Sequence, residues 1–466
     1  MNDMTQGKSL PLLIKFAIPL ILGSLFQQLY SFLDSVIVGN FIGEEALTAI
    51  GVTGALNFLV LGLTMGSAIG FTIPISQSVG KKDFGEVNRN FWNGLYLSII
   101  IGLVISIGVS FFVKDILILM KTSLNFLDMA TDYLTIIFIG QITVVLYNYL
   151  AGTIRAFGDS KRPFIFLVVS SLINVGLDLF FILVMELGVC GVALGTVIGQ
   201  LISVLLCAWW LYKIKVIKIS NKHEKYYAFS ANHIKTILKI GFPLGLEYSI
   251  CSIGNVILQS SINILGDVYA TAQYCGERIR SIATIPMESV GTAMATYVAQ
   301  NYGAKKFDRI KDGIKSGVII QLSYSVIVFL ILLLLGKSLI YLLLGNTISI
   351  EAKESLKYLF IVSTLFILHG SLMIFRNTVQ GMGHGGSTLI SSLMEIIGRS
   401  LAGVLAVVSS DFILICLSAP LAWGLALISC IILSIYYITT VPMDITWSAQ
   451  LVSVSITAKY PIFPHP

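Results

Sequence analysis

Apolar residues in this chain come in long unbroken runs, not in the alternating or one-faced patterns of a soluble fold. The first extends from Leu10 to Val38, and most of the later ones are long enough as helices to cross the ~30 Å hydrocarbon core of a bilayer. Reading the runs between their polar breaks predicts about twelve helical spans. They begin near Leu12, Ala46, Asn93, Ala130, Pro163, Gly188, Ile237, Ala270, Ile314, Leu356, Ser387 and Phe412. The first run is too long for a signal peptide and reads as the first span. The expected fold class is therefore an all-α integral membrane protein.

Composition supports this class and excludes others. Of 466 residues, 56% are hydrophobic and 12% charged, whereas a soluble chain would carry about twice that charged share. Cys190, Cys207, Cys251, Cys275, Cys416 and Cys430 fall singly inside apolar runs, with no CxxC pair. They read as small apolar filler, and no metal centre or cofactor is expected. The net charge of +6 matters through its distribution. Breaks after even-numbered spans, with those around Lys81, Lys161 and Lys305, hold roughly nineteen Lys and Arg against about four in the alternate breaks. This predicts a multi-pass plasma-membrane protein with both termini in the cytoplasm, and no nucleic-acid partner.

The halves of the chain repeat. Gln77-Ser-Val-Gly80-Lys-Lys-Asp-Phe84 returns as Gln300-Asn-Tyr-Gly303-Ala-Lys-Lys-Phe307, and 300−77, 303−80 and 307−84 all equal 223. Ala17-Ile-Pro19-Leu returns as Gly241-Phe-Pro243-Leu, and Arg155-Ala-Phe-Gly158 as Gln380-Gly-Met-Gly383. A repeat six spans on keeps its orientation in the membrane, so the expected architecture is two pseudo-symmetric six-helix lobes with a path between them. The boundaries read 1–212 for the N-lobe, 213–236 for a basic cytoplasmic linker and 237–438 for the C-lobe. A tail, 439–466, follows and is read as a disordered end.

Ionisable residues inside spans carry the chemistry. In Pro163 to Glu186, Asn174 and Asp178 lie four apart on one helical face, and Ser171 extends their stripe. A carboxylate at the bilayer centre costs about 2.5–3.5 kcal/mol on insertion scales, so Asp178 should face protein or water; the competing reading is interhelical glue. Gln27, Tyr30 and Asp34 share a face of the first span. By helical rise Asp34 reaches the same outer-half depth as Asp178, with Thr196 and Tyr133 near it. Solvation near the interface is the alternative for Asp34. Burial disfavours the charged form of a carboxyl and a second carboxyl nearby disfavours it further, so such a pair can hold a proton and release it to water. The same oxygens, from Asp34, Asn174, Asp178 and Thr196, could instead hold sodium.

The second half has its own polar set. Glu247, Glu288 and His369 fall at middle to inner depth and are candidates to line the substrate cavity, as are Arg278 nearer the outer end and Gln27 and Tyr30 of the first span. Glu277 with the adjacent arginines, and Glu395 with Arg399 four residues on, read as ion pairs. Gly381, Gly383 and Gly386 satisfy GxGxxG without a preceding strand, and Gly336-Lys337-Ser338 lacks the earlier P-loop glycine, Ile331 standing there. No nucleotide site and no enzyme constellation follow.

At this point the residues resemble a family. IPLILGSLFQQLYSFLDSVIVGNFIG, RAFGDSKRP, NVGLDLFFI, GVALGTVIGQ, GTAMATYVAQNYGAKK and APLAW are similar to the multidrug and toxic compound extrusion (MATE) transporters, in the bacterial branch of MepA-like and DinF-like exporters. The resemblance spans roughly Leu10 to Tyr437. It implies a twelve-helix antiporter that expels cationic or amphipathic drugs in exchange for protons or sodium, and a monomer is the expected working state. It carries the coupling role onto Asp34, Asn174, Asp178 and Thr196, with Tyr133 a weaker match. Other members couple through acids in spans seven and ten, but span ten has none here and Glu247 sits closer to Pro243 than that pattern requires. The alternatives are a lipid-linked precursor flippase of the same superfamily, which needs a basic cavity, and a non-transporting scaffold or sensor whose intramembrane acids are structural.

Overall fold

The computed structural model describes residues 3–215, 217, 228–345 and 349–457, and all regular structure among them is helical. The first half comprises α1 (Ser9–Phe41), α2 (Glu44–Phe71), α3 (Ile73–Lys81), α4 (Phe84–Leu119), α5 (Leu124–Ile139), α6 (Gln141–Ala156), α7 (Lys161–Leu183) and α8 (Gly188–Lys213). The second comprises α9 (Ala231–Leu265), α10 (Asp267–Gly303), α11 (Phe307–Leu344), α12 (Ile350–Thr364), α13 (Phe366–Gly381), α14 (Gly385–Ser409) and α15 (Phe412–Thr457). Leu, Ile, Val and Ala fill these helices because in lipid every backbone N–H and C=O must bond within its own segment.

Among the described residues nine helices are long and apolar enough to cross a membrane, or eleven spans when α5–α6 and α12–α13 each count as one bent span. The bends measure 40° and 47°. α10 completes the set of twelve by its 37-residue length. It misses the apolar criterion because Glu277, Arg278, Arg280 and Glu288 interrupt it.

The internal repeat extends to the backbone. Left-handed residues at turns recur in both halves: Gly43 with Gly266, Lys82 with Lys305, Lys121 with Gly345, Gly158 with Gly383 and Glu186 with Ser410. Their separations run from 266−43 = 223 to 383−158 = 225. α1 and α9 tie the halves together by packing across. Leu13, Phe16 and Ala17 of α1 sit among Val290, Met294 and Tyr297 of α10. Ile237 of α9 sits among Phe71, Val87 and Phe91 of the first half. Both crossings occur at the end of the bundle that carries Lys81, Lys82, Lys305 and Lys306.

One boundary differs from the sequence reading. α15 continues as helix to Thr457, past the expected start of the tail, because the residues after Tyr437 remain largely apolar; 458–466 lie outside the described residues. Most of the basic linker, 218–227 with Lys218, Lys222 and Lys225, also lies outside them, between the end of α8 and the start of α9.

Candidate functional site

α7 brings Asn174 and Asp178 into the interior of the first half, where they are 2% and 0% exposed. The Asn174 amide donates to Asp178 Oδ1 at 3.2 Å along the helix face. What permits this burial lies on α8. A Cβ on Gly195 would fall 2.0 Å from Asp178 Oδ1, and one on Gly199 would fall 2.9 Å from Asn174 Cβ. Gly191, Gly195 and Gly199 form a small-residue stripe with four-residue spacing that lets α8 lie against α7. The stripe leaves room for the carboxylate and for little else.

α1 completes the group from the other side. Asp34 and Asp178 approach closely enough to interact directly, the Tyr30 hydroxyl lies against Asp34, and Thr196 of α8 lies against Tyr30. Tyr133 of α5 is within electrostatic reach of both carboxylates. The five side chains expected to form one site, with Tyr30 added, therefore converge from α1, α5, α7 and α8. Gln27, one turn away on α1, is exposed and stands outside the convergence. Asp34 Oδ1, Asp178 Oδ2 and the Asn174 amide oxygen are buried acceptors without a hydrogen-bond partner. Among the described residues, neither carboxylate has a Lys or Arg against it. Uncompensated oxygens of this kind suit a shared proton or an oxygen-ligated hard cation carried as a transported ion.

The second half presents the opposite condition. Glu247 is 3% exposed and accepts from Thr388 Oγ1 at 2.7 Å and from Gln380 Nε2 at 3.2 Å. Arg376 of α13 pairs with it at 3.3 Å and also with Glu395. Arg399 pairs with Glu395 at 3.0 Å and donates to Asn255 Oδ1 at 2.7 Å. Glu247 thus belongs to a closed ion-pair network and not to a cavity wall, because Arg376, Thr388 and Gln380 take up its carboxylate oxygens. The Glu395–Arg399 pair forms as expected. Arg376, the bridge between the two acids, was not singled out by sequence reasoning, since nothing in a single span signals a partner from another helix.

Glu277 pairs with Arg280 and accepts from the Tyr358 hydroxyl at 2.7 Å. Arg278 is exposed and donates to the Tyr274 hydroxyl one turn away. His369 is 7% exposed, lies 4.8 Å from the Trp423 ring and has no hydrogen-bond partner at either nitrogen. Its nearest acid is Glu288, at 3.9 Å. The Glu288 side chain is 60% exposed, against 36% for Glu277 and 5% for Glu247 and Glu395. One turn along α10 from Glu288 begins the stripe Thr292, Ala295 and Thr296, which lines a cavity of about 40 Å³ against Ile69, Thr72 and Ser76 of the first half, with Arg155 also at its wall. Glu288 therefore stands on the face of α10 that looks toward the other lobe.

Comparison with known proteins accords with this architecture. The MatE family model matches residues 19–180 and 243–405, two copies whose starts are 243−19 = 224 residues apart. The chain is 32% identical over 310 residues to "Probable multidrug resistance protein YpnP" of Bacillus subtilis (strain 168), covering 66% of this chain and 68% of that protein. It is 25% identical to "Multidrug export protein MepA" of Staphylococcus haemolyticus (strain JCSC1435), covering 86% and 87%. A solved structure described as the outward-facing conformation of a multidrug resistance MATE family transporter superposes with a TM-score of 0.86 at 21% identity, over 94% of this chain and 98% of that one.

Proposed function

The chain belongs to the MatE family, and from that premise we propose that it is a secondary antiporter exporting cationic or amphipathic organic molecules in exchange for protons or sodium. Its relatives are described as multidrug resistance and multidrug export proteins. The observation that carries the coupling role is a contrast in pairing. In the second half Glu247, Glu277 and Glu395 each have an arginine. In the first, Asp34 and Asp178 have, among the described residues, each other, two tyrosines and an amide, with Thr196 behind Tyr30. A pair of carboxyls left without a counter-ion in the membrane is matched by an ion from outside the protein.

In this reading the site is loaded with a proton or sodium ion from the outer side and emptied toward the cytoplasm, while the organic cation travels the opposite way between the lobes. Glu288 on the inter-lobe face supplies a negative charge for that cation, and aromatic side chains add cation–π attraction. The basic residues at one end of the bundle support a cytoplasmic position for that end and for both termini. One chain carries both lobes, so the monomer is the working unit.

Transport of ethidium into or out of proteoliposomes under an imposed proton gradient, and separately under a sodium gradient, tests the proposal. Transport driven by one gradient and lost in Asp178→Asn and in Asp34→Asn is the expected result. Wild-type transport by both variants would remove the coupling role from the first half.

A further inference from the structure

The residues that repeat most closely between the halves lie away from the carboxylate pair, at the basic end, where they touch each other. Gln77 of α3 reaches across the pseudo-two-fold axis and donates from Nε2 to the carbonyl of Gly381 at the end of α13, at 3.1 Å. Gln300 of α10, its counterpart, donates from Nε2 to the carbonyl of Ala156 at the end of α6, at 2.8 Å. Ala156 and Gly381 are themselves counterparts in the repeated turns. Between the two bonds the backbones meet directly. A Cβ on Gly80 would lie 1.9 Å from the Gln300 carbonyl oxygen, and a Cβ on Gly303 would lie 1.9 Å from the Gln77 carbonyl oxygen.

We propose that these two Gln-x-x-Gly segments form a reciprocal clasp that is the inner gate of the transporter, closed in this structure and opened as a unit when the cleft turns to the cytoplasm. This goes beyond the antiport reading and rests on it only in assuming that the lobes rock. Two features make the clasp a switch. Hydrogen bonds of this length are lost within about an ångström of extra separation, and the apolar contacts of α1 and α9 around the clasp lose a quarter to a half of their attraction over the same gap, so a small movement releases the whole contact. The glycines allow contact at backbone distance, so a side chain at either position holds the lobes apart. On α2, by contrast, a Cβ on Gly51 or Gly54 would meet nothing within 4 Å.

One arm carries a handle that the other lacks. The Gln300 amide that donates to Ala156 also accepts from the Met4 N–H at 3.0 Å. Asn301 donates to the Met4 carbonyl at 3.0 Å, Lys306 to the Thr5 carbonyl at 2.9 Å and Arg309 to the Gly7 carbonyl at 2.7 Å. With both ends of its amide engaged, Gln300 is fixed in the bonding orientation. The N-terminal strap therefore favours the closed gate through this arm.

The test measures the distance between spin labels at Lys81→Cys and Asp308→Cys in the full chain, with Cys190 and Cys251 replaced by Ser. Gly80→Ala and Gly303→Ala should each shift the population toward the longer separation by tenfold or more. Gln77→Ala and Gln300→Ala should each shift it by about fivefold. Removing residues 2–6 should shift it the same way, with little further change when Gln300→Ala is already present. Gly51→Ala should leave the distribution unchanged. Parent-like distances in the folded glycine variants would overturn the proposal; if those variants do not fold, parent-like distances in both glutamine variants would do so. The distances are read without drug or gradient, so a chain that exports nothing still decides the matter.

Discussion

Asp178 can be fully buried only because residue 195 has no side chain. Gly195→Ala places a methyl 2.0 Å from Asp178 Oδ1, so α8 or the carboxylate must move. Coupled transport in this variant should fall at least tenfold, while cation binding in the cleft persists, measured by fluorescence of bound ethidium. Asn174 and Asp178 were legible in the sequence because an acid and an amide four apart in an apolar run are rare and costly. Gly195 and Gly199 were visible only as part of a motif, since their role depends on what the neighbouring helix presents. In the second half, Arg376→Met leaves Glu247 and Glu395 buried with Arg399 alone. Such a loss costs about 3–5 kcal/mol, and a lowered thermal unfolding temperature in detergent should report it. Glu288→Gln should keep the fold and weaken export of dications more than of monocations, as relative efflux rates would show. Equal weakening of both would assign Glu288 no part in charge recognition.

Hydropathy marked where the helices lie but missed the breaks within them. Spans four and ten read as single runs, yet each divides, at Gly140 and at Leu365, into the pairs α5–α6 and α12–α13. No proline sits at either break, and at Gly140 the cause is contact: a Cβ there would lie 2.3 Å from Val197 Cγ2 of α8. Gly140→Ala should therefore lower stability by about 1–3 kcal/mol through overpacking, whereas Gly176→Ala on α7, with nothing within 4 Å, should be neutral or stabilise by up to about 1 kcal/mol. Denaturation in mixed micelles distinguishes the two. α10 is the converse case. Its charges interrupt the apolar run, and they belong inside the membrane domain because Arg280 and Tyr358 satisfy Glu277 and the inter-lobe face accommodates Glu288.

At the scale of the whole molecule, the repeat was the most informative signal in the sequence. An offset of 223 to 225 residues predicted two lobes of like orientation, and offsets in that range recur in the left-handed turns and in the glutamines of the clasp, while α1 and α9 cross between the lobes in matching fashion. The offset did not reveal that the lobes had diverged in their polar interiors. One half holds an unpaired carboxylate couple and the other a closed network of arginines and glutamates, a difference that depends on which helices meet. The division of labour we propose rests on that difference: ion coupling in the first half, structural pairing and cation recognition in the second.

The most direct test is ion release on drug binding. Purified protein in detergent is titrated with ethidium while released protons are followed with an indicator, or released sodium with an ion-selective electrode. The account predicts about one ion released per cation bound by the wild type, and none by Asp178→Asn although that variant still binds ethidium. The same release from Asp178→Asn as from the wild type would contradict it.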